Sequence, residues 1–80
     1  MIVDVINGGS MTRYIIWGYK IGDQHRIKEL ILSMGGKIIS VGVNEPYVIA
    51  DINDEILRQL YASGYVRLVE KAWGGFRPSY

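Results

Sequence analysis

Apolar and polar positions along this chain switch between a period of two and a period near 3.6. "RYIIWGYK", residues 13–20, concentrates β-branched and aromatic side chains and stops at Gly22, which predicts a strand. In "QHRIKELILSM", residues 24–34, Ile27, Leu30, Ile31 and Met34 fall at i, i+3, i+4 and i+7. That spacing draws one apolar stripe down a helix. Asp23 is placed to cap its start, and Gly35-Gly36 to stop it with a left-handed residue. "KIISVGV", residues 37–43, reads as a second strand, Asn44-Glu45-Pro46 as a turn, and "YVIADI", residues 47–52, as a third strand. Asn53 is the predicted N-cap of a second helix, with Asp54 and Glu55 in the first turn, where the helix dipole favours negative charge. Ile56, Leu57, Leu60 and Tyr61 form its expected buried stripe, and Gly64 ends it. "YVRLVEK", residues 65–71, alternates as a fourth strand, with Val66 and Leu68 facing in and Arg67 facing out.

The order β-α-β-β-α-β, joined by right-handed crossovers, predicts a ferredoxin-like split βαβ fold of the α+β class. Four antiparallel strands form one sheet, with both helices on one face. Residues 13–72 make up that domain. Residues 1–12 precede it as a flexible leader or an edge strand, and residues 73–80 follow as an extended tail. Such a fold leaves one sheet face without cover. Its expected outward residues, Ile15, Trp17, Tyr19, Arg67 and Val69, are too apolar for a face that meets only water. They point to a partner surface or to a homodimer burying sheet against sheet.

Composition narrows the chemistry. Eighty residues make one small domain, and 49% hydrophobic with 21% charged residues describes a globular chain. Nine basic and eight acidic side chains give a net charge of +1, which predicts no pull towards nucleic acid or anionic membrane. No run reaches the ~18 apolar residues of a membrane helix, and the start, MIVDVINGGS, lacks a signal-peptide pattern. There is no cysteine and a single histidine, His25, outside the first helix's apolar stripe. No metal site, cofactor or catalytic triad is therefore expected. The reading is of a protein without catalysis of its own.

The strand "RYIIWGYK", the helix end and strand "ILSMGGKI", then "INDEILRQL", then "VRLVEK" and a short tail ending in tyrosine resemble the propeptides of subtilisin-like serine proteases. The resemblance runs from about Arg13 to Tyr80, with the segments in order. It implies an intramolecular chaperone and tight inhibitor of a cognate subtilisin-like protease, acting in cis or in trans. The implied setting is extracellular beside that protease, with a cytoplasmic location as the alternative. The resemblance also implies that the open sheet face, with Trp17, Tyr19, Arg67 and Val69, packs on two surface helices of the enzyme. Glu70 would cap the N-termini of those helices. The tail would lie in the active-site cleft as an added strand, with Tyr80 in the primary specificity pocket and Arg77, Pro78 and Ser79 in the preceding subsites. Two departures stand out. Lys71 occupies the place of a second acidic residue, and the tail is slightly longer than in bacterial members, which makes Phe76 a second candidate anchor. The alternative function is a ferredoxin-like binding module that associates with itself or a ligand through the open face.

Overall fold

The structure, a computed structural model, describes residues 10–72. The readings made for residues 1–9 and 73–80, including Phe76, Arg77, Pro78, Ser79 and Tyr80, lie outside the described residues. The elements run β1 (Thr12–Gly18), α1 (Asp23–Ser33), β2 (Lys37–Val41), β3 (Tyr47–Ile52), α2 (Asp54–Ser63) and β4 (Val66–Lys71). The strands form one sheet in the order β2-β3-β1-β4, and every neighbouring pair is antiparallel. This is the expected α+β arrangement, with both βαβ crossovers skipping one strand.

Period-two alternation divides each central strand between the two faces. Ile16 in β1 and Val48, Ala50 and Ile52 in β3 are fully buried beneath the helices. They meet Ile27 and Ile31 of α1, Ile56 and Leu60 of α2, and Val66 of β4 in a single core. Leu30, Met34, Leu57 and Val69 pack around it. Each such aliphatic side chain taken out of water contributes roughly 1.5–3 kcal/mol, so this layer holds the domain together. Tyr61 departs from its expected place in the α2 stripe and is 54% exposed. It follows Leu60 by one residue, about 100° round the helix, which carries it past the edge of the buried stripe.

Helix ends obey local chemistry with one exception. Asn53 caps α2, its side-chain oxygen accepting from the Ile56 amide at 2.9 Å, and Gly64 closes the helix in the left-handed region at φ 86°. Gly35 stops α1 in the same way at φ 88°. Asp23, however, is the first residue of α1 rather than its cap. Gly22 holds the cap position at φ 111°, with no side-chain cap bond. The Asp23 carboxylate turns back and accepts from the amides of Tyr19 at 2.9 Å and Lys20 at 3.2 Å. Buried Gln24 continues this bracing. It accepts from the Gly22 amide and donates to the Gly42 carbonyl, tying the β1–α1 turn to the β2–β3 loop.

Candidate functional site

Two bulges decide which side chains reach the uncovered face. Along β1 and β4, Ile15 pairs with Glu70, Ile16 with Val69, and Trp17 with Leu68, but Gly18 pairs with Val66. Arg67 is the extra residue with no partner. A one-residue slip reverses every side chain beyond it. The expected alternation of β4 is therefore correct at Val66 and inverted afterwards. Val69, expected on the open face, packs against the core, and Leu68, expected inside, is 40% exposed opposite Trp17. Crowding at Gly18 accompanies the slip, because a Cβ there would stand 2.5 Å from the Cβ of Asp23. On the other edge, Ile38 pairs with Ala50 and Ser40 with Ile49, leaving Ile39 as the extra residue of β2. Both edge strands are thus irregular, which discourages unplanned strand addition.

The face that the described residues leave open is built from β1 and β3 with contributions from both edges. Ile15 and Trp17 come from β1, Tyr47, Ile49 and Asp51 from β3, Leu68 and Glu70 from β4, and Lys37 and Ser40 from β2. The Trp17 and Tyr47 rings pack with centroids 5.3 Å apart and planes at 55°, an attractive tilted geometry. Half-buried Ile15, Ile49 and Trp17 adjoin exposed Leu68 as an apolar stripe. Tyr19 lies beyond the end of β1, in the turn, and is 62% exposed. It sits beside the sheet face and takes no strand position on it, because Asp23 draws the backbone out of the ladder there.

Two polar pairs stand on this face, Arg13 with Asp51 and Trp17 with Glu70. The Arg13 guanidinium grips Asp51 through two bonds, Nε to Oδ1 at 2.8 Å and Nη2 to Oδ2 at 3.1 Å. That bond holds the Asp51 carboxyl below the usual carboxylate range, against the opposing effect of its partial burial, with further help from the charges of Arg13 and Lys37. Trp17 Nε1 donates to Glu70 Oε1 at 3.2 Å. Glu70 is thus on the open face, exposed, one residue before the end of β4.

Reading the sequence alone misses Tyr47, Ile49, Asp51, Arg13 and Leu68 as members of this surface. The alternation of "YVIADI" carries a usable signal for the first three, since Val48, Ala50 and Ile52 supply the core face. Between α1 and the start of β4, the Arg26 guanidinium lies 5.5 Å from the centroid of the Tyr65 ring.

Two other surface features stand out among the described residues. Shallow depressions of about 400 Å³ lie beside the β2–β3 loop at Val43, Asn44 and Tyr47, and between the helices at Arg26, Leu30 and Tyr65. The two serine hydroxyls in the second, Ser33 and Ser63, donate to the carbonyls of Leu30 and Leu60. Among the described residues, no three His, Cys, Asp or Glu side chains gather as a metal site, and no helix is long and apolar enough to cross a membrane. Comparison with family models, curated proteins and solved structures yields no match for this chain.

Proposed function

We propose that the chain docks through its uncovered sheet face onto a subtilisin-like serine protease, serving as its product-like inhibitor and folding chaperone. The observation that supports this most is the Glu70 carboxylate, exposed beside the apolar stripe Ile15, Trp17 and Leu68. A docking surface for two helix N-termini needs this pairing. Apolar area gives up its water while a carboxylate receives otherwise unpaired helix amides, in charge-assisted bonds stronger than neutral ones.

The tail completes the reading. β4 is an edge strand, so the chain leaves the sheet at its side, where the Ala72 amide donates to the Arg13 carbonyl at 2.9 Å. Eight residues follow, enough to span up to roughly 26 Å when extended. In this reading they enter the protease cleft as an added strand and deliver Tyr80 to the specificity pocket, with Phe76 as a second anchor. The setting is extracellular, beside the protease, and the chain performs no catalysis.

The test is an inhibition assay of the full chain against a panel of subtilisin-like proteases. Tight, slowly dissociating inhibition is expected, and removal of residues 77–80 should weaken it by more than about tenfold, or 1.4 kcal/mol. Inhibition that survives the deletion unchanged removes the tail from the mechanism. A panel left untouched overturns the protease reading. Self-association on that same apolar stripe then takes its place, to be measured by sedimentation across a concentration series.

A further inference from the structure

The Trp17–Glu70 contact carries a role beyond surface area. We propose that Trp17 is a positioning residue that holds the Glu70 carboxylate in its docking orientation; this rests on the protease-docking reading above. Three strands build the device. Tyr47 on β3 packs against the Trp17 ring on β1, and Trp17 reaches diagonally across to Glu70 on β4. The direct partner of Glu70 in the register is Ile15, and the direct partner of Trp17 is Leu68. The indole is therefore bounded by Tyr47 on one side and Leu68 on the other, and its N–H is aimed along the face.

The chemistry of the two groups suits the role. A glutamate on an exposed edge strand has three freely turning side-chain torsions, and a partner that needs its carboxylate in one place must stop them all. The indole N–H is a donor only, so it binds a carboxylate oxygen without offering a rival acceptor to the partner's amides. It engages Oε1 at 3.2 Å, and no other bond to this carboxylate forms among the described residues, which leaves Oε2 for the incoming helix. Ordering the carboxylate before docking lowers what must be ordered during docking, which strengthens association and slows release. The bulge at Arg67 makes the contact possible, because an unbroken alternation would turn Glu70 to the opposite face.

Trp17→Phe keeps an aromatic ring against Tyr47 and removes the N–H. Inhibition constants and dissociation rates would be measured for the full chain as wild type, Trp17→Phe, Glu70→Ala and the double variant. Trp17→Phe is expected to weaken inhibition about five- to tenfold, mainly through faster release, and to have no further effect once Glu70 is alanine. Independent, additive losses would overturn the positioning role and reduce Trp17 to contact area. A partner-free measurement decides the contact itself. The Trp17 indole N–H resonance of the free chain should move on Glu70→Ala, and an unmoved resonance overturns the proposal. If the wild type inhibits no subtilisin-like protease, the docking reading fails and takes this role with it. Inhibition with an additive cycle defeats the positioning role alone.

Discussion

The two faces of this one sheet solve opposite problems with the same strands. Beneath the helices, Ile16, Val48, Ala50 and Ile52 are fully buried aliphatics that bring no polar side chain. On the other face, aromatic and half-buried aliphatic residues stand beside two polar pairs, Arg13 with Asp51 and Trp17 with Glu70. A face that is only a core can be purely apolar. A face that spends time in water and then meets a partner needs polar groups held in place, because an unpaired buried charge is costly and a wandering one contributes little. On the proposed reading, the contrast puts stability on one side of the sheet and recognition on the other.

The sharpest way to break that contrast is to truncate one residue from each face. Ile31→Ala removes a fully buried side chain against the sheet and should cost about 2–5 kcal/mol of stability. Leu68→Ser, on the open face, should cost only about 0.5 kcal/mol while weakening inhibition. Urea unfolding of both variants checks this, and equal losses would mean the open face is a second core. Gly36→Ala probes how closely the helix side is packed. A Cβ there runs into the side chain of Ile31, so a loss of about 1–3 kcal/mol is expected in a thermal melt.

Acid offers a finer comparison. Asp23 is held below the usual carboxylate range, chiefly by the Tyr19 amide and then by Lys20 and nearby Arg26, against the opposing effect of burial. Asp51 is held low by Arg13 on the open face. Both values are depressed in the folded state. Their stabilisation is thus complete above the unfolded carboxylate value near about 3.9 and is lost as pH falls through the folded values. Asp23→Asn should flatten the acid limb of a stability–pH curve, and high salt should leave that limb largely in place, because its carboxylate is buried and bonded to backbone amides at short range rather than to a solvated charge. The smallest effect belongs to Arg13→Met. It should lower the melting temperature slightly in low salt and not at all in high salt, since the pair is partly solvated and screened. A large loss at high salt would make the Arg13–Asp51 pair structural rather than a neutralised rim.

Much of this molecule was readable from local patterns. The six elements and their order followed from periodicity, Asn53 from its capping chemistry, and Gly35 and Gly64 from the backbone values that helix ends demand. Glu70 was singled out through the family resemblance, and its exposed place on the open face comes from the register. The errors gather where two elements meet. Tyr19 left the strand because the Asp23 carboxylate, four residues on, takes its amide. Val69 and Leu68 exchanged faces because one residue, Arg67, is not paired.

What the sequence by itself determined is the set of elements and the composition of the core, since propensity, capping and amphipathic spacing act within a few residues. Only the tertiary structure decided the membership of the open face. Register arises between strands more than fifty residues apart, and one unpaired residue reverses each side chain after it, so no local pattern in "YVRLVEK" reports that Leu68 and Glu70 share a face with Trp17.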